Sequence, residues 1–286
     1  MVMLAHSFKD NKVNYPCFVQ PKFDGVRCIA TVQDGIATLK TRKDKPIISM
    51  THITDMLSGF PDGVYDGELY SDTLLFDQIS GAVRSHTFDP DRSNSIHFVV
   101  YDGYSQNVPS NSTYNVRFTE LERIFGAYSA AYGDQNTVLL VENRMVSNAE
   151  ELQTAYSEFL GEGYEGAMVR TQVFNKKAKV WFDPGYEHKR SYSLLKLKEF
   201  QDADFVIVGI QEEHDANGIP KGRTGAFVFL NNNGISFTAS GITDEVKVAS
   251  FNQPDLYVGK TATVKYFELT PDGVPRFPNF VGIRAD

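Results

Sequence analysis

The sequence predicts an α+β protein with two domains, and three observations support this fold class. The 286 residues are enough for one large or two medium domains with sizeable cores. Up to about residue 199, strand-like alternation is interspersed with helical periodicity. Residues 200–286 consist almost entirely of short strand-like runs with one helix. We therefore expect antiparallel sheets with flanking helices over residues 1–199 and a small β-barrel over residues 200–286.

Local patterns predict the elements of the first domain. Strands are expected at 17–32, 35–41, 64–70, 97–104, 137–146 and 194–200, and the glycine-rich stretch 161–170 leads into a further strand. The pair Asp34-Gly35 is typical of a tight hairpin turn. Helices are expected at 51–57, at 113–132, and from a capping-box pattern at Ser147 and Glu150 to about Leu160. Gly161, Gly163 and Gly166 fit a dinucleotide fingerprint but follow a helix and precede a strand, so we reject that reading.

The pattern of the second domain suits a small barrel of the oligonucleotide-binding (OB) kind, among other small β folds. Strands are expected at 204–211, 225–230, 235–239 and 260–269, with a helix at 243–251. A hinge is expected at Glu199–Ala203. The connection Glu212–Gly225 is short and rich in glycine, and we expect it to become ordered on nucleic acid.

Composition and charge limit the function classes. No apolar run approaches membrane-spanning length, and the first ten residues lack a secretory pattern. Two closely spaced cysteines suggest a reducing compartment, so we expect a cytoplasmic location. The net charge of −8 is uneven, because residues 170–198 carry eight basic and two acidic side chains. Such asymmetry can steer a polyanion to one face.

The stretch Pro21–Arg27 holds a candidate nucleophile, Lys22. A lysine amine attacks a phosphate only when neutral, and at its normal pKa of about 10.4 only about one in a thousand is neutral near pH 7.4. Desolvation and nearby cations lower the pKa of such an amine, and Arg27, Lys196 and Lys198 are the candidate cations. A divalent metal would find oxygen ligands in Glu165 together with Glu68 or Asp66, and Tyr101 could stack on a purine.

Six motifs in order resemble the covalent nucleotidyltransferases, and in particular the small ATP-dependent DNA ligases of viruses and phages. They are Lys22-x-Asp24-Gly25-x-Arg27 (motif I), Asp66-Gly67-Glu68 (III), Val100-Tyr101-Asp102 (IIIa), Glu165-Gly166-x-Met168-Val169-Arg170 (IV), Leu195-Lys196-Leu197-Lys198 with Asp202-Ala203-Asp204 (V) and the tail Arg276 to Arg284 (VI). By this resemblance, residues 1–199 form an adenylation domain and residues 200–286 an OB-fold DNA-binding domain.

The resemblance also implies roles for individual residues. Lys22 is similar to the adenylylated lysine, and Lys196, Lys198 and Arg284 are the other expected catalytic groups. The nucleotide is expected to contact Gln20, Lys22, Arg27, Glu68, Tyr101, Glu165, Lys196 and Lys198. DNA is expected to contact Arg42, which matches an arginine that engages the 5′-phosphate, together with Asp66 and Arg170. Glu165 and Glu68 are the expected ligands of Mg²⁺, or of Mn²⁺ as its substitute.

The implied reaction seals nicks in duplex DNA during replication, repair or recombination. Lys22 takes AMP from ATP, AMP passes to the 5′-phosphate, and the 3′-hydroxyl then displaces it. Nicked duplex DNA is the expected partner, and we expect a monomer with no obligate protein partner and no membrane.

Other protein classes share some of these motifs and are weighed as alternatives. GTP-dependent mRNA capping enzymes resemble the chain in motifs I to V, but the tail fits ligases better. RNA ligases usually lack the barrel, and an NAD-dependent ligase would need a further domain where only 21 residues precede Lys22. A non-catalytic oligonucleotide-binding protein would leave Lys22, Glu165, Lys196 and Lys198 without a shared purpose.

Overall fold

The computed structural model describes residues 2–133, 137–198, 201–266 and 269–284, and the chain divides into two compact units, Met1–Lys198 and Glu199–Asp286. The strands are β1 (Leu4–Ser7), β2 (Cys17–Lys22), β3 (Val26–Gln33), β4 (Ile36–Thr41), β5 (Pro46–Ile47), β6 (Gly63–Tyr70), β7 (His97–Tyr104), β8 (Val138–Leu140), β9 (Arg144–Val146), β10 (Gly166–Arg170), β11 (Val173–Asn175), β12 (Val180–Phe182), β13 (Arg190–Leu197), β14 (Gln201–His214), β15 (Pro220–Leu230), β16 (Ser236–Ala239), β17 (Thr261–Tyr266) and β18 (Asn279–Ile283). The helices are α1 (Thr51–Leu57), α2 (Phe76–Arg84), α3 (Pro90–Ser93), α4 (Tyr114–Tyr132), α5 (Ala149–Gly161) and α6 (Asp244–Asn252). None of the helices in these ranges is long and apolar enough to cross a membrane.

The first unit is built on two mainly antiparallel sheets. A six-stranded sheet has the order β5-β4-β3-β6-β7-β8, and a five-stranded sheet has the order β1-β13-β10-β2-β9. Helices α1, α2 and α4 bury Ile53, Ile79 and Leu121 in the core beside the six-stranded sheet. Helix α5 buries Leu152 and Phe159 in a second core beside the five-stranded sheet. This arrangement confirms the predicted class of antiparallel sheets with flanking helices.

The chain passes from one sheet to the other directly after Lys22. The prediction of one strand over residues 17–32 is therefore wrong, because β2 and β3 belong to different sheets and are separated by Phe23–Gly25. A Cβ atom on Gly25 would lie 2.3 Å from the carbonyl oxygen of Leu69, so only glycine fits this close approach. The predicted strand 137–146 is likewise divided between the two sheets, as β8 and β9.

The second unit is an OB-like sheet with the order β16-β15-β14-β17-β18. Its core contains Phe227, Phe229 and Val264. The two edge strands approach each other through an isolated bridge between Ser240 and Asn279. Within the described ranges this one bridge, and not a full ladder, joins the edges, so the expected barrel is an almost closed sheet.

The connection predicted at Glu212–Gly225 is mostly strand. β14 continues to His214 and β15 begins at Pro220, so only residues 215–219 form the turn. The Glu213 carboxylate accepts hydrogen bonds from Lys221, Arg223 and Lys247. The connection is therefore a paired hairpin held by cross-strand hydrogen bonds and ion pairs, and its ordering on nucleic acid stays a prediction.

Two further predictions concern element boundaries. Helix α5 begins one residue later than the predicted capping box, because Asn148 accepts a hydrogen bond from the backbone N–H of Glu151 at 2.9 Å. The predicted hinge, Glu199–Ala203, lies partly outside the described residues, which omit 199 and 200. Residues 201–203 begin β14.

Candidate active site

Three adjacent strands bring four predicted site residues to one end of the five-stranded sheet. Lys22 ends β2, Glu165 directly precedes β10, and Lys196 and Lys198 lie at the end of β13. In the register of this sheet, Gly166 faces Lys22 and Met168 faces Lys196. The backbone N–H of Glu165 donates to the carbonyl of Lys22 at 2.9 Å. Positions more than 140 residues apart in sequence are thus fixed by backbone pairing.

Glu165 is shared between two lysine side chains. The Lys22 Nζ donates to Oε2 of Glu165, and the Lys198 Nζ donates to Oε1 at 2.8 Å. The Glu165 side chain is only 6% exposed. Burial alone would raise the pKa of Glu165, but the charges and hydrogen bonds of Lys22 and Lys198 outweigh it and lower the pKa. Glu165 is therefore a carboxylate at neutral pH that holds both amines.

Lys196 adds a third amine to this end of the sheet. Its pKa is lowered, first by burial and then by the nearby charges of Lys198 and Lys22. A cluster of amines that repel one another is suited to an anionic ligand, because bound phosphate oxygens would relieve the repulsion.

The glycine after Glu165 is required by a close approach of backbones. Gly166 has φ of +149°, and a Cβ atom there would lie 2.3 Å from the carbonyl oxygen of Leu197 and 3.0 Å from the Cα of Lys198. Any side chain would push β10 away from β13. Gly166 therefore allows Glu165 to reach Lys198.

An open cleft of about 250 Å³ lies beside Lys22. Its lining combines cations, a carboxylate and two aromatic rings with apolar side chains. It includes Gln20, Lys22, Phe23, Arg27, Arg42, Glu68, Tyr101, Met168, Arg170, Arg190, Leu194 and Lys196. This lining suits a ligand that has both a ring and phosphate groups. Arg42, which directly follows β4, is exposed and lines the cleft.

Sequence reasoning missed Arg190 as a cleft residue. Side chains two apart on a strand share a face. Arg190, Leu194 and Lys196 are separated by even numbers of residues along β13, and all three line the cleft. The alternation that marked Lys196 could therefore have been extended back to Arg190.

Glu68 and Tyr101 lie at the wall of the cleft. Burial raises the pKa of Glu68 to about 7, and the nearby charges of Lys22 and Arg27 oppose this increase. The Tyr101 hydroxyl lies 3.5 Å from Oε2 of Glu68. The Arg27 guanidinium lies over the Tyr101 ring at 5.7 Å from its centroid. Both side chains thus lie where a nucleoside could contact them.

The position of Asp66 stands against its predicted contact with DNA. Asp66 is 1% exposed, and its two carboxylate oxygens accept hydrogen bonds from Arg27 at 2.9 and 2.5 Å. The Tyr186 hydroxyl also donates to it at 2.7 Å. Asp66 is therefore buried and paired, and its hydrogen bonds hold the Arg27 guanidinium in place.

Arg170 and Gln20 belong to a buried network in the wall of the cleft. Arg170 donates to Asp102 at 2.5 Å and to Gln20 at 3.2 Å, and Gln20 donates to the Tyr114 hydroxyl at 2.7 Å. Arg117 from α4 binds the same Asp102 carboxylate at 2.8 and 2.9 Å. Since Arg170 is only 5% exposed, its position argues for support of the cleft wall and against direct contact with DNA.

Arg284, the predicted motif VI residue, belongs to the second unit. It directly follows β18, and its Nη1 lies 3.4 Å from Oδ2 of Asp204. The Arg284 side chain is 60% exposed, so this surface pair leaves it accessible.

The residues expected to bind a metal have suitable donor atoms. Among the residues that the structure describes, no three His, Cys, Asp or Glu side chains form a metal-binding group. Glu68 and Glu165 are close enough for the charge of Glu165 to raise the pKa of Glu68. Carboxylate oxygens suit Mg²⁺, which usually takes few protein ligands and completes its shell with water and phosphate oxygens. The pair therefore fits a metal that binds together with a nucleotide.

Antiparallel sheets that carry a cluster of lysines beside a cleft, followed along the chain by an OB-like sheet, are typical of the nucleotidyltransferases. Residues 2–198 match the family described as the ATP dependent DNA ligase domain, and residues 217–284 match the DNA ligase OB-like domain. The chain therefore belongs to the ATP-dependent DNA ligase family.

Relatives and solved structures agree with this assignment. The DNA ligase of African swine fever virus (strain Badajoz 1971 Vero-adapted) is 31% identical over 286 residues, covering 93% of this chain and 63% of that protein. The DNA ligase of Enterobacteria phage T4 is 27% identical over 264 residues, covering 73% of this chain and 50% of that protein. The chain thus spans about 63% or less of these relatives.

Two solved structures show the same fold. A Lig E DNA ligase superimposes with a TM-score of 0.77 at 23% identity, covering 99% of this chain and 98% of that one. The Chlorella virus DNA ligase-adenylate superimposes with a TM-score of 0.55 at 22% identity, covering 100% and 98%.

Proposed function

We propose that this chain seals nicks that carry a 5′-phosphate and a 3′-hydroxyl in duplex DNA, with ATP as the source of AMP. The observation that carries the proposal is the convergence of Lys22, Glu165, Lys196 and Lys198 at the end of three adjacent strands, beside a cleft. The match to the ATP-dependent DNA ligase domain over residues 2–198 supports the same reaction.

The first step forms a covalent bond to the protein. The neutral amine of Lys22 attacks the α-phosphorus of ATP, the bond to the departing pyrophosphate breaks, and the amine loses a proton as the phosphoramidate forms. Glu165 holds the amine at the end of β2. Lys196 and Lys198 stabilise the negative charge that develops on the phosphate.

The next two steps use DNA. An oxygen of the 5′-phosphate attacks the lysyl-AMP, which releases Lys22 and forms a DNA-adenylate. The 3′-hydroxyl then attacks the 5′-phosphorus, loses its proton and expels AMP. Arg42, exposed at the cleft, is the group that we expect to hold the 5′-phosphate.

The adenosine is held by the cleft wall. Tyr101 supplies a ring for stacking, and Arg27 and Glu68 supply a donor and an acceptor for the ribose hydroxyls. Glu165 and Glu68 would hold Mg²⁺, which when bound would neutralise charge on the phosphates. We further propose that the chain acts as a monomer in replication, repair or recombination within a cell.

Labelling separates this function from its alternatives. The protein is incubated with Mg²⁺ and ATP or GTP labelled at the α-phosphate, and acid-stable label on the protein is measured. We expect label from ATP that is lost in Lys22→Arg, and sealing of nicked DNA in preference to nicked RNA. Label from GTP alone would favour mRNA capping, and no label from either nucleotide would overturn the proposal.

A further inference from the structure

A two-stranded hairpin lies between β10 and β13 along the chain, and the reaction proposed above does not use it. We call it the lysine hairpin; it consists of β11, β12 and their turn, residues 173–182. The two strands pair only with each other within the described part of the chain, through Val173–Phe182, Phe174–Trp181 and Asn175–Val180. An isolated pair of strands is marginally stable in water, so a partner surface would stabilise this hairpin.

The turn of the lysine hairpin presents three lysines in a fixed arrangement. The Asn175 side-chain oxygen accepts hydrogen bonds from the backbone N–H groups of Lys177 and Ala178 at 3.0 and 3.1 Å. The N–H of Lys179 donates to the Asn175 carbonyl at 2.7 Å, and Lys179 adopts a left-handed φ of +55°. Lys176, Lys177 and Lys179 are all exposed.

Both faces of the lysine hairpin also carry exposed apolar side chains. Phe174 is 43% exposed and Trp181, its cross-strand neighbour, is 36% exposed; their ring centroids are 5.4 Å apart. On the other face, Val180 and Phe182 are 51% and 41% exposed. Clustered exposed apolar surface of this kind marks an interaction site.

Charge complementarity identifies the partner as a polyanion. Residues 171–182 contain three lysines and no acidic side chain, in a chain whose net charge is −8. The next carboxylate, Asp183, is occupied by the backbone N–H groups of Tyr114 and Gly185. Lysines beside exposed aromatic rings suit nucleic acid, whose phosphates pair with the amines and whose sugars and bases contact the rings.

The fold limits how far from the nick this contact can lie. The eleven steps from Gly166, which faces Lys22, to Lys177 span at most about 36 Å of extended chain. At 3.4 Å per base pair, this distance corresponds to about ten base pairs of duplex.

We propose that the lysine hairpin is a DNA-docking element that binds one duplex arm flanking the nick, within about ten base pairs of it. This inference rests on the proposed function, because it requires a DNA substrate. The lysines contact backbone phosphates, and Phe174 and Trp181 lie against the sugar-phosphate backbone or in a groove. The element contributes to grip on DNA and not to transfer of AMP from ATP.

Charge substitution provides the first test. Lys176→Gln/Lys177→Gln/Lys179→Gln is compared with the matched variant that has arginine at the same three positions. The probe is a nicked duplex with a 3′-dideoxy end, which blocks sealing. Loss of up to three phosphate contacts should make the fall of log K, the logarithm of the DNA-binding constant, with log salt concentration less steep by up to about 2.7. We expect binding of the glutamine variant to be at least about tenfold weaker near 0.1 M salt. The arginine variant should bind like the wild type.

The first test also separates this inference from the proposed function. Label from ATP on Lys22 should be unchanged in the glutamine variant. Unchanged binding and salt dependence in that variant would overturn the docking role while leaving lysyl-AMP formation and sealing intact. Absence of label in the wild type would instead overturn the proposed function.

The second test uses Trp181, which is the single tryptophan of the chain. Its fluorescence should change on binding a nick whose two arms are each about 15 base pairs long, since the hairpin reaches about ten. Shortening each arm in turn, base pair by base pair from about 10 towards the nick, with the shortened arm closed by a loop, should abolish the change for one arm only. An unchanged Trp181 signal with every DNA would overturn the proposal. A signal that instead follows self-association of the protein would assign the hairpin to a protein contact and would also overturn it.

Discussion

At the scale of single residues, the site depends on one carboxylate that serves two amines. Glu165 binds Lys22 through one oxygen and Lys198 through the other, and its side chain is buried. Backbone pairing brings the strands together, and this bridge holds the two amines on one carboxylate. The position of the Lys22 nitrogen therefore depends on the charge of a residue that does not itself attack the nucleotide.

The first prediction concerns this bridge. Glu165→Gln keeps the size of the side chain and removes its charge, so Lys22 loses its partner and we expect lysyl-AMP formation to slow by about 10²-fold, the usual effect of a misplaced reacting group. Glu162→Gln is the matched control, because it is the same change three residues earlier at an exposed position. Single-turnover labelling with α-labelled ATP measures both rates. Equal rates in Glu165→Gln and the wild type would show that Glu165 does not position Lys22.

The second prediction concerns the pH dependence of stability through Glu68. Burial raises its pKa from an ordinary 4.5 to about 7, so the folded state holds this proton more tightly than the unfolded state does. The resulting contribution to stability is complete below pH 4.5 and is lost as the pH rises through about 7. Glu68→Gln should match the wild type near pH 4.5 and exceed its free energy of unfolding at pH 8 by roughly 1–3 kcal/mol. Urea titrations at both pH values measure this; a difference that does not depend on pH would contradict it.

At the scale of elements, α4 is attached to the cleft wall by a buried charge network. Arg117 of α4 and Arg170 of β10 share the carboxylate of Asp102 on β7, so one helix and both sheets meet at one aspartate. Burial alone would raise the pKa of Asp102, but the two arginines outweigh it and lower the pKa. The carbonyl of the adjacent residue, Tyr101, accepts from Arg170 at 3.3 Å. The network therefore also holds the proposed base-stacking ring.

The third prediction compares two arginines of α4. Arg117→Met should lower the free energy of unfolding of the first unit by about 3–5 kcal/mol, because it removes one partner of a buried ion pair. Arg123→Met is the matched control, since Arg123 lies on the same helix and pairs with Glu120 at the exposed surface. Its effect should lie within the error of a denaturant titration. Equal effects for the two variants would show that the network contributes little to stability.

The fourth prediction concerns the glycines between α5 and β10. Gly166→Ala would place a methyl group 2.3 Å from the carbonyl of Leu197, so β10 must move away from β13 and carry Glu165 with it. We expect a destabilisation of about 3 kcal/mol or more together with loss of labelling. Gly161→Ala is the control, because no atom lies within 4 Å of its added methyl group and the residue ends a helix. A tolerated Gly166→Ala would contradict the role of this close approach.

The sequence predicts best those helices and strands whose periodicity and end signals all lie within the element or directly beside it. The predicted bounds of α1 and β7 match the structure, because apolar periodicity and flanking breakers lie within a few residues of each other. The break between β2 and β3 at Phe23–Gly25 was missed. Gly25 is required because the Leu69 carbonyl, distant in sequence, lies against it, and in the sequence such a glycine looks like any turn glycine. The short helices α2 and α3 were also missed.

The site shows the same limit. Order and spacing of the motifs selected Lys22 and Glu165, which the structure brings together. Burial cannot be read from a charged residue type, so Arg170, a buried partner of Asp102, looked like a surface cation that contacts DNA. Whether a charge faces solvent or a buried partner depends on tertiary pairing, which local patterns do not contain.

At the scale of the whole molecule, the proposed reaction divides its residues between two units. Lys22, Glu165 and the cleft belong to Met1–Lys198, whereas Arg284 belongs to Glu199–Asp286. Arg284 resembles the motif VI arginine, and we propose that it acts in the first step by stabilising the departing pyrophosphate and that the later steps do not need it. The exposed pair of Arg284 with Asp204 is weak enough to be exchanged for phosphate oxygens.

The fifth prediction separates these steps. Arg284→Ala should slow lysyl-AMP formation by about 10²-fold, the usual effect of removing one group that stabilises charge in the transition state. Sealing of a nick that already carries AMP on its 5′-phosphate should remain within about threefold of the wild type, because that step does not release pyrophosphate. Lys260→Ala, which also removes an exposed cation from the second unit, should leave both rates unchanged. If Arg284→Ala slows both steps equally, Arg284 acts in DNA binding and not in the transfer of AMP to Lys22.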